Sequence, residues 1–222
     1  MNLTLSSFSS LTNKVLMALA GLFLVTFLGV HLGINLLLLN NDGGEAFTAA
    51  ASFMGTNSLI KVFEIVLFGG FLLHIVLGMM VSGQNKAARP SAYAVSNHSA
   101  TAPFSKYMLH TGIIVFLFLL LHFFDFYFIK IGLVAPPAGI ASHDFYSRTL
   151  LLFSTPWYSF LYIVCFVALG IHLNHAIQSA VQTLGLNHSK YMDAVKVIGS
   201  VYSLLITVGF SIVPLFILFF RH

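Results

Sequence analysis

The chain has 222 residues, of which 58% are hydrophobic and 7% charged, where a soluble domain carries about a quarter charged residues; this excludes a water-soluble globule and points to an integral membrane protein. Its 23 phenylalanines are an aggregation hazard against water but ordinary side chains in lipid, and a net charge of +4 spread over the ends of apolar segments bears on topology rather than nucleic acid. The single cysteine, Cys165, excludes an intrachain disulfide, a Cys-pair metal site and a CxxCH attachment of c-type haem.

Five apolar segments are each long enough for a spanning helix, which needs about 20 residues. They fall near 14–39, 61–83, 106–130, 156–180 and 194–220, so the expected fold is all-α, a single membrane domain over 1–222 built as a five-helix bundle. Ala18-Leu19-Ala20 in the first segment mimics a signal-peptidase site, but it precedes most of the apolar run, so the segment reads as an uncleaved helix. Between the segments lie DGGEAFTAAASFMGTNS, SGQNKAARPSAYAVSNHSATAPFS, the region from Pro136-Pro137 to Ser154, and TLGLNHSKYMD. Their Gly, Pro, Ser and Asn content marks them as surface connections.

Lys14, Lys86, Arg89, Lys106, Lys190 and Lys196 fall on one side of this arrangement, and Lys61, Lys130, Arg148 and Arg221 on the other. The richer side, which includes the N-terminus, is therefore expected to be cytoplasmic. Of the acidic residues, Asp42, Glu45, Glu64, Asp125 and Asp144 lie on the outer side and Asp193 alone on the inner.

Of ten histidines, His31, His74, His122, His172 and His175 lie inside four of the five apolar segments. Ionisable residues at membrane depth are costly and mark a relay, an ion path or a cofactor. At 1.5 Å per helical residue, His31 lies roughly 25 Å from Lys14 and His122 roughly 24 Å from Lys106, both in the outer half. Segments two and four run inward, placing His74 about 20 Å from Lys61 and His172 about 24 Å from Pro156, nearer the cytoplasmic side. Four imidazoles thus sort into an outer and an inner pair, roughly 10 Å apart along the membrane normal and each shared by two helices. That is what two bis-histidine haems b require, since trans axial ligands come from opposite sides of the macrocycle. Gly29, Gly33, Gly78 and Gly170 beside the ligands would give the porphyrins room, and the free ring nitrogens can be met by Asn35 and Asp125, about one turn beyond His31 and His122, or equally by backbone carbonyls one turn earlier, with simple interface placement as the other reading of Asn35 and Asp125. HLNH places His172 and His175 on one helix face; depth favours His172 as ligand and leaves His175 to a propionate or the interface.

The stretches SSFSSLTNKVLMALAGLFLVTFLGVHLGINLL, GGEAFTAAASFM, FLLHIVLG, LLLHFFDF and IHLNHAIQSAVQTLGL together resemble the cytochrome b subunit of succinate:quinone oxidoreductase and fumarate reductase, respiratory complex II. The likeness is to the five-helix, diheme, single-subunit anchor of prokaryotes and runs from Ser6 to the last helix. It implies haem ligands His31 and His122 for the outer haem and His74 and His172 for the inner one. It further implies a place in the prokaryotic cytoplasmic membrane, a cytoplasmic flavoprotein carrying FAD, an iron–sulfur subunit docked on this anchor and menaquinone as the quinone; complexes of this kind can associate further, and the resemblance leaves the oligomeric state open.

The sequence agrees with that division of labour. It carries no GxGxxG-plus-acid fingerprint and no cysteine set for an iron–sulfur cluster. Lys14, Arg89, Lys106 and Lys190 are expected beside haem propionates or the iron–sulfur subunit, or else against lipid phosphates. Helix four, reading CFVALGIHLNH, has no acid, so a built transmembrane proton path is not expected; Glu64 is expected to pair with Lys61, and Trp157 and Tyr158 to form an interfacial belt. A quinone pocket is expected near the outer haem around Asn35, Glu64, Asp125 and Tyr127, where hydrogen-bond donors meet a route for protons, with the inner haem and His175 as the competing place. Two other readings stand beside this one: a diheme cytochrome b fed by formate, hydrogen or another donor, and a transporter or channel with a histidine relay.

Overall fold

The computed structural model describes residues 10–87 and 107–221. The described residues are helical, with no strand: α1 Ser10–Leu36, α2 Glu45–Thr56, α3 Ser58–Ala87, α4 Met108–His122, α5 Phe128–Lys130, α6 Phe145–Phe153, α7 Pro156–Thr183 and α8 Ser189–Phe220. Among the described residues five spans are long and apolar enough to cross a membrane: Leu11–Leu39, Ser58–Asn85, Met108–Lys130, Pro156–Thr183 and Ser189–Phe220. This is a multi-pass helical membrane protein. Ile65, Phe160 and Phe220 stand exposed on its flanks, as side chains facing acyl tails do.

Two segments expected as connections fold as short helices, both at the end of the bundle that the charge count expects to face outward. Asp42 starts α2 by accepting the amides of Gly44 at 2.9 Å and Ala46 at 3.1 Å. Gly44 has φ +88°, and a Cβ there would strike the Tyr146 ring, so only glycine serves at this turn. Asp144 caps α6 by accepting Ser147 N at 2.9 Å; this bond with Ser147 holds its carboxyl below the ordinary value. Gly and Asn mark the loop edges in sequence, but α2 and α6 are too short for their periodicity to stand out from the surrounding turn residues.

The spanning helices begin and end where local chemistry dictates. Pro156 occupies the first turn of α7, where its missing N–H costs nothing. Gly185, at φ +77°, closes α7 as Leu186 N bonds Val181 O and Gly185 N bonds Gln182 O. Helices α1 and α7 are central, packing on each other, with α3 on the far flank of α1, α4 on the far flank of α7, and α8 behind both. Small residues permit the close approaches on the α8 side: a Cβ on Gly170 would strike Thr207, and one on Gly209 would lie 2.8 Å from Leu32. The densest core, around Tyr162, Phe166, Ile206, Phe210 and Ile217, therefore lies between α7 and α8. The concave side of the α3–α1–α7–α4 arc is left to a cavity.

Candidate functional site

That cavity holds about 1860 Å³, roughly twice the upper end of the usual range for a single-ligand pocket. His31, His74, His122 and His172 all line it. His31 on α1 faces His122, the last residue of α4, with ring centres 5.8 Å apart and planes at 80°. His74 on α3 faces His172 on α7 at 6.4 Å and 83°. An imidazole nitrogen binds a first-row metal at about 2 Å and lies about another ångström from its ring centre, so trans imidazoles on one iron have centres roughly 6 Å apart. Both pairs meet that separation. Among the described residues no three His, Cys, Asp or Glu side chains converge. The donor set is two pairs, suited to a metal that brings its own equatorial ligands, as haem iron does. His175 lines the cavity but His172 is the residue that faces His74.

The inner pair is seated on glycines of the flanking helices. A Cβ on Gly21 would lie 3.2 Å from His74 Cε1, and one on Gly112 would lie 3.4 Å from His172 Cε1. His74 Nδ1 donates to the Met17 carbonyl at 3.3 Å; a carbonyl only accepts, so the proton sits on Nδ1 and Nε2 keeps its lone pair. Thr111 Oγ1 lies 3.1 Å from Met108 O and 3.2 Å from His172 Nδ1; with its proton on Met108 O it accepts from Nδ1. His74 is thereby set to offer Nε2, and His172 likewise where Thr111 accepts from it, the orientation that ring-nitrogen partners impose on metal-binding histidines.

These seating residues were not anticipated from the sequence, yet a repeat encodes them. Met17, Gly21, Phe27 and His31 on α1 have the same spacing as Met108, Gly112, Phe118 and His122 on α4. At about 100° per residue the four positions share one helix face. In each helix the glycine abuts an inner histidine and, ten residues on, the histidine belongs to the outer pair. At 1.5 Å per residue each glycine and the outer histidine of its helix are about 15 Å apart along the helix axis. Of the glycines expected to clear space, Gly78 lines the cavity, whereas a Cβ on Gly29 would meet Tyr202, one on Gly170 would meet Thr207 of α8, and one on Gly33 would meet nothing within 4 Å. Between the pairs Phe27 stacks on His31 at 5.4 Å and meets Phe71 edge-on at 6.4 Å, while Phe118 meets Phe166 at 5.5 Å.

The outer pair lacks such tethers. His122 Nδ1 is buried with no hydrogen-bond partner, a demand that calls for an explanation in a folded protein and that a bound group can meet. The two residues expected to serve the outer rings are engaged elsewhere. Asn35 donates to the His31 backbone carbonyl at 2.8 Å. Asp125 accepts Tyr158 Oη at 2.7 Å and also the Tyr162 hydroxyl, and it does not line the cavity. Tyr158 thus points inward rather than into a belt, while Trp157 beside it is exposed.

At the outer mouth, Asn35, Glu64, Tyr127 and Lys130 line the cavity. Glu64 pairs with Lys130 across the gap between α3 and α4 at 3.2 Å, not with Lys61, which faces outward. Lys130 Nζ also stands 5.6 Å from the Tyr127 ring centre. At the inner mouth Ser82, Asn85, His110, His175, Ser179 and Thr183 line the opening. Lys14 is half-buried in the first turn of α1 and is not part of the lining, and Lys190 is exposed at the start of α8; Arg89 and Lys106 lie outside the described residues. Behind the outer pair, Arg148 on α6 is 1% exposed. Burial lowers its pKa, and the carboxylates of Asp144 and Asp125 oppose that.

Comparison with protein-family models, with curated proteins and with solved structures gives no match. The class is therefore carried by the fold and the site alone: a five-span helical membrane protein with two facing imidazole pairs in one cavity.

Proposed function

We propose that this chain is a diheme cytochrome b that exchanges electrons with a membrane quinone, and that it serves as the membrane anchor of a succinate:quinone oxidoreductase or fumarate reductase in a prokaryotic cytoplasmic membrane. The observation that carries the first part is the pair of facing imidazoles at each of two levels, at 5.8 Å and 6.4 Å, on four different helices. The second part rests on the resemblance of the quoted stretches. FAD and the iron–sulfur clusters belong to partner subunits on the cytoplasmic face. Two haems b would supply one-electron transfer between those partners and the quinone.

The chain's own residues do the rest. His74 and His172 hold the inner group through Nε2, because Met17 and Thr111 occupy their other nitrogens. His31 and His122 hold the outer group, and the phenylalanines between the levels keep water out of the interior. At the outer mouth, Lys130, Tyr127 and Asn35 donate hydrogen bonds to the quinone carbonyls, whose oxygens gain negative charge on reduction. Glu64, 26% exposed at its side chain, exchanges protons with the outer water. Asp125 has no part in that pocket, since both tyrosines hold it away from the cavity.

The test is haem content and quinone turnover in single variants. His31→Ala and His122→Ala are expected to lose the outer haem and keep the inner, and His74→Ala and His172→Ala the reverse; succinate-driven quinone reduction in membranes fails in all four. Loss of haem on His175→Ala with both retained on His172→Ala refutes the ligand assignment. Full haem content without succinate-linked turnover keeps the cytochrome and discards the complex II placement.

A further inference from the structure

The two copies of the Met–Gly–Phe–His pattern diverge just past their outer histidines. After His31, α1 continues as ordinary α-helix to Leu36, whereas after His122 the chain widens into a π-turn, Phe123–Tyr127, before closing again as α5. Such widenings break the regular hydrogen-bond ladder and collect at functional positions. Three residues beyond the histidine, α1 carries Ile34, which lines the cavity, and the π-turn after α4 carries Asp125, which turns away from it to meet Tyr158 and Tyr162. The carboxylate is therefore an addition to the shared cage and not one of its common parts.

Two groups grip this turn from outside the cavity. Asp125 is held from α7 by Tyr158 Oη, 2.7 Å from each carboxylate oxygen, and by the Tyr162 hydroxyl. The Phe126 carbonyl accepts Arg148 Nη1 from α6 at 3.5 Å, and Arg148 Nη2 is fixed by the carbonyls of Ala141 at 3.4 Å and Ser142 at 3.3 Å. The Phe126 ring packs on the His122 ring at 5.1 Å, so displacement of the turn is transmitted to the imidazole. The inner histidines need no such device, being fixed by their own ring nitrogens, while His122 Nδ1 has no partner.

We propose that Arg148 and Asp125 are positioning residues that clamp the π-turn from α6 and α7 and so set the height and tilt of His122 opposite His31. The effect on a bound group rests on the reading of His31 and His122 as one ligand pair; the clamp on the turn does not. Asp125 collects two hydroxyls, charge-assisted contacts that make the stronger hold on the turn, and Arg148 adds one long contact to Phe126 O at 3.5 Å while its other two carbonyls anchor it to the 141–142 loop. Arg148 and Tyr158 lie off the cavity wall and Tyr162 is on it, so a change of Tyr162 to Phe keeps its ring in the wall and removes only the hydroxyl that reaches Asp125.

The experiment uses the purified chain in detergent with Arg148→Lys, Asp125→Asn and the conservative pair Tyr158→Phe/Tyr162→Phe, which preserves the rings and packing. Backbone hydrogen exchange across 123–127 is expected to speed about tenfold or more, as loss of hydrogen bonds to a charged group implies, while exchange across 70–78 on α3 stays the same. The outer haem's absorption band and midpoint potential shift and the inner haem's do not. Unchanged exchange across 123–127 in the tyrosine double variant and in Arg148→Lys overturns the clamp. Faster exchange in a protein with no b-type spectrum sustains the clamp and refutes the haem reading, so the two fail separately.

Discussion

Substitution at the two seating glycines gives a graded test of the inner site. In Gly21→Ala the new Cβ lies 3.2 Å from His74 Cε1 and 3.3 Å from Nδ1, inside the 3.5–4.0 Å that carbon pairs prefer. The ring must retreat by a few tenths of an ångström. Its bond to Met17 O is already 3.3 Å long, at the far edge of useful N–H···O geometry, so the retreat breaks it. Overpacking of this kind costs about 1–3 kcal/mol, and at 1.4 kcal/mol per factor of ten the inner group is held roughly 5–100-fold less tightly. Gly112→Ala sets its Cβ at 3.4 and 3.8 Å from His172, which is ordinary contact, and costs under about 1 kcal/mol. Gly33→Ala meets nothing within 4 Å and leaves both groups in place. Pyridine haemochrome per folded chain, with the reduced-minus-oxidised spectrum to say which haem is missing, reads the series. Greater loss in Gly112→Ala than in Gly21→Ala, or two haems retained in Gly21→Leu, refutes the seating argument.

Thr111→Val removes the hydroxyl partner of His172 Nδ1 while keeping the side-chain shape; inner-haem retention drops about 10–100-fold, read as haem lost on dilution in detergent, with the outer haem unaffected. Glu64→Gln and Lys130→Met each break the ion pair across the outer mouth and lower quinone turnover at least about tenfold with both haems present; normal turnover in both places the quinone at the inner mouth near His175. Asp144→Ala removes the cap of α6 at about 1 kcal/mol. Because Ser147 holds the Asp144 carboxyl below its ordinary 3.8, that contribution is fully present above pH 3.8 and is lost as pH falls through the lower folded-state value; thermal melts at successive pH values, compared with Asp144→Ala, check this.

The membrane class, the five spans and the pairing of four histidines were legible in the sequence because each rests on a signal that survives without tertiary detail: apolar run length, and depth counted at a fixed rise per residue. Partners across helices were not legible. Glu64 was matched to Lys61 on its own helix, yet Lys130, 66 residues away, reaches it. Asp125 was matched to His122 by spacing, but the π-turn rotates it toward α7. The role of Gly21 and Gly112 lay open in the shared spacing of Met17–His31 and Met108–His122, a period visible only when two non-adjacent segments are aligned. Arg148 read as a topology charge, since nothing local foretells that α6 folds it beneath the π-turn.

The most direct test of the central claim is the haem stoichiometry of the purified, unmodified chain. Two non-covalent haems b per chain by pyridine haemochrome, reduced in two separable steps in a potentiometric titration, is the result this account predicts. A chain that folds with all five spans and shows no b-type absorption contradicts it, and leaves the facing histidines to a relay.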